Sequence, residues 1–311
     1  MDNNVDDKSK KSLTIIGAPS SVAAYGPGQE KAPNVLRVAG LVRDLLDRGI
    51  RCEDQGDIAG YRWSIDKANP QAMNYDKVAL VARSLSKRVE KILDSGSRVL
   101  VLGGDCSVEL GTFAGATEKT EKVGLVYIDL DTDLNIPEST GEDAGAMDWM
   151  GVAHMLNVDG VIPEVAGFAG RVPLANSDQI LFFSNDNSLP FERDIIEKMG
   201  IKEVPFDQVV SDPIKAASSV VEGWAKNFDR LLIHVDLDVL NANDLPLAEN
   251  CRKRGLLFDQ LLAVLHVFLR SPNWVALTIT ELNPYHGEED GSTIRRFVEK
   301  LVDVVAVAFE S

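Results

Sequence analysis

Short apolar runs that alternate with longer amphipathic segments constrain the fold of this chain more than any other feature. Seven runs have the length and the Val, Ile and Leu content of buried strands; they cover residues 13–16, 99–102, 123–128, 180–183, 231–235, 275–280 and 304–309. Apolar residues at helical spacing fill the segments 32–48, 75–93, 107–117, 149–156, 191–199, 214–226, 258–269 and 292–301. This alternation predicts a three-layer α/β fold, with helices on both faces of a central, mostly parallel sheet.

The length of 311 residues is sufficient for one large α/β domain. No internal repeat and no linker rich in Pro or Gly divides the sequence, so we expect a single domain over residues 12–311. The first eleven residues are polar and charged, and they lack the apolar segment of a secretory signal. We expect them to form a disordered tail over residues 1–11.

The charge of the chain restricts its partners. A net charge of -16 disfavours binding to nucleic acid and to anionic membranes, and it favours cationic ligands. Three cysteines without paired spacing indicate a reduced, cytoplasmic compartment rather than a disulfide framework. No apolar stretch of the sequence is long enough to cross a bilayer.

Three aspartates at alternate positions, Asp129, Asp131 and Asp133, follow the apolar run at 123–128. Because residues two apart on a strand point to the same side, their carboxylates are expected to converge where that strand ends. Carboxylates this close repel one another unless a proton or a cation intervenes. An oxygen-rich site suits magnesium, calcium or manganese, so the triplet predicts a metal site. A solvated loop is the alternative, and the buried strand before the triplet argues against it.

Three other predicted strands also end in acidic or thiol side chains. Cys106 follows the second strand after a Gly-Gly-Asp turn, Asp236 and Asp238 follow the fifth, and Glu281 follows the sixth. Ligands of open parallel sheets bind outside the carboxyl ends of the strands, so we expect these side chains to meet the aspartate triplet. The structural alternatives are a buried small thiol for Cys106 and turn or helix caps for Asp236 and Asp238.

These strand-end motifs resemble those of the arginase/agmatinase ureohydrolases. In chain order they read GGDCS at 103–107, DLDTDLN at 129–135, DLD at 236–238 and ELNP at 281–284. The corresponding family motifs are GGDHS, DAHxDxN, DxD and ExNP, so Cys106 and Asp131 stand where the family has histidine. Four ordered motifs at similar spacing imply an arginase-like fold over most of the chain, but they say little about the substrate.

The resemblance implies a two-manganese cluster that activates a bridging water. The first ion would take Cys106, Asp129, Asp133 and Asp236, and the second would take Asp129, Asp131, Asp236 and Asp238. A thiolate is a soft ligand for hard manganese, so the first position is weakened by Cys106. We therefore expect one divalent ion rather than two, with manganese as the first choice. Zinc beside Cys106, magnesium, or no ion at all are the alternatives.

The resemblance also assigns catalytic roles to acidic residues. Asp133 matches the carboxylate that accepts a hydrogen bond from the nucleophile. Glu281 matches the carboxylate that pairs with the substrate guanidinium, which is a natural bidentate fit. Asp148 stands near the place of the family's proton-shuttling histidine and would serve if its pKa were raised. Capping of the helix that begins at Trp149 is an equal alternative for Asp148.

The four histidines of the chain receive different predictions. His286 lies in a Gly- and acid-rich loop near the expected mouth of the site, so we expect it to contact substrate or to transfer protons. His154 is expected to pack on an amphipathic helix. His234, inside a strand, and His266, inside a helix, are expected to be structural.

Two functions follow from the sequence. The first is a divergent metal-dependent hydrolase of a C–N bond in a cationic guanidino or amidino compound other than arginine. The second is a non-catalytic arginase-like protein with a structural, oligomer-partner or small-molecule-sensing role. Ligand-competent residues at every metal position place the hydrolase first, because buried carboxylates need a cation. Family analogy further implies a homo-oligomer, either a trimer or a hexamer.

Overall fold

A single eight-stranded sheet organises the residues that the computed structural model describes, which are 12–139 and 145–309. The strands are β1 (Leu13–Gly17), β2 (Cys52–Asp57), β3 (Arg98–Leu102), β4 (Val123–Ile128), β5 (Ile180–Phe183), β6 (Lys202–Val204), β7 (Arg230–Asp236) and β8 (Trp274–Thr280). Their order is β2-β1-β3-β8-β7-β4-β5-β6, and all neighbours are parallel. The predicted parallel sheet is confirmed. The tail predicted for residues 1–11 lies outside the described residues.

Helices cover both faces of the sheet. They are α1 (Ala32–Val38), α2 (Leu41–Asp47), α3 (Tyr75–Asp94), α4 (Glu109–Thr117), α5 (Gly151–Leu156), α6 (Pro163–Ala166), α7 (Pro190–Met199), α8 (Phe206–Ser211), α9 (Pro213–Glu222), α10 (Phe258–Leu269) and α11 (Ser292–Val307). One apolar core lies beneath α3 to α7 and the other beneath α1, α2 and α8 to α11. The predicted three-layer α/β architecture is therefore confirmed. Within residues 12–139 and 145–309, no helix is long and apolar enough to cross a membrane.

The strand predicted over 304–309 is wrong, because α11 continues through Val307. Its run of valines resembles a strand, but Phe297, Leu301 and Val305 are buried at four-residue spacing against the second core. Tertiary packing of one helical face thus outweighs the β propensity of valine.

Two strands were not predicted, and both form the edges of the sheet. The sequence of β2, CEDQGD, is polar, as suits its mostly exposed residues, and β6, KEV, has only three residues, of which Val204 alone is buried. Edge strands receive backbone hydrogen bonds from one neighbour only, so they need no continuous apolar run. The helix predicted over 32–48 is also interrupted, since Gly40 adopts a φ of 108° between α1 and α2.

Four adjacent strands in the middle of the sheet, β3, β8, β7 and β4, carry the predicted site residues at their carboxyl ends. Their register is aligned, because Val235 pairs with Ile128 on one side and with Ile279 on the other. Leu102 of β3 also pairs with Ile279. The chain therefore leaves these four strands at one edge of the sheet, where their following residues face a common cleft.

Gly104, just beyond β3, permits a close approach of two backbone segments next to this cleft. A Cβ atom at this position would lie 1.7 Å from the carbonyl oxygen of Ser20. That carbonyl accepts a hydrogen bond from Asp105 N, at 3.0 Å, and so fixes the turn before Cys106. The turn has no room for a side chain.

The substitution Gly104→Ala is expected to lower the free energy of unfolding by about 3 kcal/mol, because the new methyl group displaces the Ser20 backbone. The matched control is Gly151→Ala in α5, where a Cβ meets nothing within 4 Å. That variant should leave stability unchanged or raise it by up to about 1 kcal/mol. Urea denaturation measures both, and equal effects would contradict the packing described for Gly104.

Candidate metal centre

A cleft of about 500 Å³ opens at the carboxyl ends of the four central strands. Its lining contains seven carboxylates, from Asp131, Asp133, Asp148, Asp236, Asp238, Glu249 and Glu281. Tyr25, Trp149, Asn250 and the thiols of Cys106 and Cys251 complete the wall. Arg252 is the one basic side chain of this lining within the described part of the chain. A cleft of this charge favours cationic ligands.

One group of possible metal ligands joins β3, β4 and β7. Cys106, Asp129 and Asp236 offer ligand atoms within 4.8 Å of one another, and all three residues are buried. The thiol of Cys106 donates to Asp236 Oδ2 at 3.0 Å, and Asp236 Oδ1 accepts from Asp238 N at 2.7 Å. Asp129 Oδ2 is buried and has no hydrogen-bond partner among the described residues. We call these three residues the first donor group.

A second group of possible ligands shares Asp129 with the first. Asp129, Asp131 and Asp238 also offer oxygens within 4.8 Å of one another. Here the cation is already supplied by the protein, since Arg252 Nη2 lies 2.5 Å from Asp131 Oδ2 and 3.2 Å from Asp238 Oδ2. Asn187 Nδ2 donates to Asp131 Oδ1 at 2.5 Å. We call Asp129, Asp131 and Asp238 the second donor group.

Asp133, predicted as a ligand of the first ion, lies outside both donor groups. Its carboxylate accepts a hydrogen bond from the hydroxyl of Tyr127. The backbone of Asp133 has a φ of 48°, an unfavourable conformation for a residue with a side chain. Such strain is typical of residues that the surrounding structure holds in place for function. Burial raises the pKa of Asp133 despite this hydrogen bond, and the charge of Asp131 raises it further.

The electrostatics of the first donor group fit a divalent cation. Burial raises the pKa of Asp129 well above its usual range, and the neighbouring charges of Asp236 and Asp238 add to the rise. Burial also raises the pKa of Asp236. A divalent ion bound here would offset the repulsion and would satisfy the unpaired Asp129 Oδ2. In the second donor group Asp238 Oδ1 is also buried without a hydrogen-bond partner among the described residues, but Arg252 and Asn187 already bind both oxygens of Asp131, so the fit is poorer.

The thiol of Cys106 lies between acids and a histidine. Burial and the charge of Asp236 raise its pKa well above the ordinary value, which favours the protonated thiol. Its Sγ atom lies 3.4 Å from His234 Nε2 and 3.1 Å from Thr280 Oγ1. His234 Nδ1 is 3.3 Å from Glu109 Oε2, and the ring stacks on Tyr127 at 4.1 Å. The buried polar side chains of His234 and Thr280 therefore contact Cys106, and Glu109 contacts His234 in turn.

Glu281 faces the cleft from the end of β8 and has both oxygens engaged. Oε1 accepts from the backbone N–H of Cys106 at 2.8 Å, and Oε2 accepts from Gln29 Nε2 at 3.1 Å. Its backbone has a φ of 61°, which again places strain at the site. A carboxylate offers about four lone-pair positions, so two remain for a further donor.

The remaining predicted site residues occupy different positions. Asp148 is buried in the cleft lining, and its Oδ1 accepts from Trp149 N at 3.0 Å, so it supports the local helical turn. Burial and the charge of Asp105 raise the pKa of Asp148 well above its usual range. His286 is not among the residues that line the cleft. Its Nδ1 is 2.6 Å from the carbonyl oxygen of Ala248 and 3.6 Å from Sγ of Cys251, which does line the cleft.

A sequence profile of the arginase family matches residues 11–306. This chain belongs to the arginase family. Human arginase-1 is 26% identical to it over 302 residues, which cover 96% of this chain and 93% of the human protein. The resemblance seen in the four strand-end motifs is therefore confirmed.

Solved structures similar to this arginase-family chain establish its fold independently. Arginase from Bacillus caldovelox has a TM-score of 0.84 at 22% identity, with 97% of this chain and 99% of that chain covered. Formimidoylglutamase from Bacillus subtilis has a TM-score of 0.74 at 18% identity, with 98% and 89% covered. The family fold thus spans nearly the whole chain.

Several site residues of this arginase-family chain were missed from the sequence. Tyr127 stands two residues before Asp129, so the period of two along a strand placed it on the same side as the site. His234, predicted to be structural, stands two residues before Asp236 and is buried beside Cys106. Gln29 and Arg252 reach the site from loops, and loop conformation leaves no periodic signal. The basic tripeptide Arg-Lys-Arg at 252–254 was the sequence feature that could have indicated a cation near the acids.

His154 of α5 is a buried packing residue, as predicted. Its Nδ1 lies 2.7 Å from the carbonyl oxygen of Met150, and its Nε2 accepts from Ile162 N at 3.1 Å. This arrangement fits a neutral ring with the proton on Nδ1. Burial lowers the pKa of His154 from 6.5 to about 4.

A lowered pKa in the folded state predicts that the stabilisation by His154 is present above pH 6.5 and is lost as the pH falls towards 4. The unfolding free-energy difference between wild type and His154→Gln should shrink by roughly 3 kcal/mol over this range. His266→Gln, at an exposed position of α10, is the control and should show no such trend. Urea titrations at several pH values measure the difference, and a constant difference would contradict a neutral His154.

Proposed function

We propose that this protein is a metal-dependent hydrolase that cleaves a C–N bond in a cationic guanidino or amidino compound. The observation that carries the proposal is the first donor group, which holds an unpaired buried carboxylate oxygen at the floor of an acidic cleft. Membership of the arginase family supports hydrolysis at this class of bond. The substrate is proposed to differ from arginine, because the histidines of two family motifs are replaced.

Cys106, Asp129 and Asp236 are the residues proposed to hold the ion, and manganese is the metal proposed. The bound ion would supply activation of a water molecule as the nucleophile. Two of the three ligands offer carboxylate oxygens, which suit manganese, whereas Cys106 would bind only as a thiolate, which suits a softer metal. Binding of the ion would therefore release the thiol proton of Cys106. One ion per chain is proposed rather than two, since Arg252 engages the second donor group.

The carboxylates of the cleft have separate proposed roles. Glu281 would orient the substrate cation through its two free lone-pair positions, because Cys106 N–H and Gln29 already hold it in place. Asp133, held by Tyr127, would accept a proton or hydrogen bond from the attacking water. Asp148 would pass a proton to the leaving amine, a role that its raised pKa favours. His286 is proposed to contact the substrate or to transfer protons from the loop after β8, where it neighbours Cys251 of the cleft lining.

Other parts of the proposal rest on the family relationship. We propose a homo-oligomer, with three or six chains, and a cytoplasmic location. A small cationic molecule is the proposed partner, in keeping with the acidic cleft and with the net charge of -16. One domain over residues 12–311, preceded by a tail, remains part of the same proposal.

A non-catalytic arginase-like protein is the second candidate. The contact of Arg252 with Asp131 and Asp238 favours it, because a protein-borne cation reduces the need for a bound metal. Such a protein would keep the cleft as a binding site for a small cation, or the fold as an oligomer partner.

Manganese is expected to raise the melting temperature of the protein after treatment with a chelator. At 100 times its dissociation constant, an ion that binds the folded chain stabilises it by about 2.7 kcal/mol. Asp236→Asn should abolish this shift, because it removes a charged ligand of the first donor group. Asp259→Asn, on the exposed start of α10, should retain it. A metal-independent melting temperature in the wild type would contradict the metal centre.

Glu281→Gln is expected to lower kcat/KM for guanidino and amidino substrates by about 100-fold or more, since a charged bidentate partner is lost. The fold should persist, because Gln29 Oε1 has no hydrogen-bond partner within the described chain and can accept from the new amide. Glu288→Gln, on the exposed loop that follows, is the control. Release of urea or ammonia from a panel of alkylguanidines and amidines measures activity. Absence of turnover across the panel in the metal-loaded wild type would favour the non-catalytic candidate.

A further inference from the structure

We infer that Arg252 is a built-in cation that occupies the second metal position of the arginase-family site. Its Nη2 atom bridges Asp131 Oδ2 at 2.5 Å and Asp238 Oδ2 at 3.2 Å, which are two of the three carboxylates in the second donor group. The inference rests on the proposed function only in treating the donor groups as cation sites. Arg252 lies outside the four strand-end motifs.

Arg252 at this position and a second ion bound to the same oxygens, Asp131 Oδ2 and Asp238 Oδ2, are mutually exclusive. A divalent ion on an oxygen site lies about 2.0–2.6 Å from each carboxylate oxygen, and Arg252 Nη2 already takes this space beside Asp131. Asn187 Nδ2 holds the other oxygen of Asp131 at 2.5 Å, so both oxygens of Asp131 have donors. Two positive charges on the same carboxylates would also repel each other strongly at this depth.

The backbone of the loop holds Arg252 at this place. The carbonyl oxygen of Arg252 accepts from Ala242 N at 2.7 Å, and Asn241 Nδ2 donates to the Lys253 carbonyl at 2.6 Å. At the other end of the loop, Glu249 N donates to the Glu281 carbonyl at 2.8 Å. The loop is thus tied to the segment that follows β7, at Asn241 and Ala242, and to Glu281 directly after β8.

The charge balance of the cleft agrees with this role. Burial opposes the charged form of Arg252, but the charges of Asp238 and Asp131 outweigh it and raise the pKa of the guanidinium, which stays cationic. The pKa of Asp238 is raised by burial and by Asp236, and the charge of Arg252 acts against that rise. Arg252 therefore offsets part of the repulsion that a second metal ion would otherwise offset.

Arg254, in the same loop, provides a matched control for substitutions of Arg252. Arg254 is two residues further along the chain, yet it faces away from the cleft. It pairs with Asp186 and with Asp207, the latter at 3.0 Å, and its guanidinium lies 4.4 Å from the ring centre of Phe206. Loss of Arg254 removes the same charge from the same loop without opening the second donor group.

The test compares the manganese content of wild type, Arg252→Gln and Arg254→Gln after chelation, reloading with Mn²⁺ and desalting. Elemental analysis counts ions per chain, and electron paramagnetic resonance detects a coupled pair of manganese ions. Arg252→Gln should bind one ion more than the wild type and should show the coupled signal. Arg254→Gln should match the wild type. Two ions in the wild type, or no gain in Arg252→Gln, would overturn the inference.

A second variant keeps the test decisive if Arg252→Gln does not fold. Asp131→Asn should leave the manganese content of the wild type unchanged, because Asp131 binds Arg252 rather than metal. Loss of an ion in Asp131→Asn would show that Asp131 is a metal ligand and would overturn the inference. Failure of the proposed function gives a different result, in which the wild type binds no metal and Arg252→Gln binds one ion. That result would contradict the metal-dependent hydrolase and would support the role of Arg252 as the cation.

Discussion

Repulsion among carboxylates buried at one edge of the sheet is the constraint on which the rest of this site depends. The parallel register of β3, β8, β7 and β4 makes the convergence unavoidable, because each strand ends in an acid or leads into the Cys106 turn. Charges brought out of water in this way need protons, donors or cations beside them. The residues around the acids supply these donors and cations in different ways.

Several of the carboxylates have their own hydrogen-bond donor close by. Tyr127 donates to Asp133, the backbone N–H of Cys106 donates to Glu281, and the thiol of Cys106 donates to Asp236. Arg252 supplies a full positive charge to the second donor group. Asp129 Oδ2, which both donor groups share, and Asp238 Oδ1 of the second group are buried and have no hydrogen-bond partner among the described residues. The first donor group has no arginine or lysine paired with it in the described part of the chain, so it is the place proposed for an external cation. Cys106 and Asp131, which stand where the family motifs have histidine, are thus both paired within the protein.

The sequence predicted the fold well because buried parallel strands are short apolar runs, and six of the seven runs proposed are strands. The failures have physical causes: the valines near Val305 pack as a helical face, the edge strand β2 is too exposed to carry an apolar signal, and the edge strand β6 has only three residues. The strand-end acids were predictable because strand direction fixes where they emerge. The position of Arg252 was not predictable, because it depends on the path of a loop that is held by hydrogen bonds to the segments following β7 and β8.

The central claim is that the first donor group holds a single divalent ion while Arg252 serves as the second cation. The most direct measurement is a crystal structure of the manganese-loaded protein with anomalous diffraction data, which locates and counts the ions. The account predicts one peak, within ligand distance of Cys106, Asp129 and Asp236, with Arg252 still bound to Asp131. A peak between Asp131 and Asp238 with Arg252 displaced, or no peak in the cleft, would contradict it.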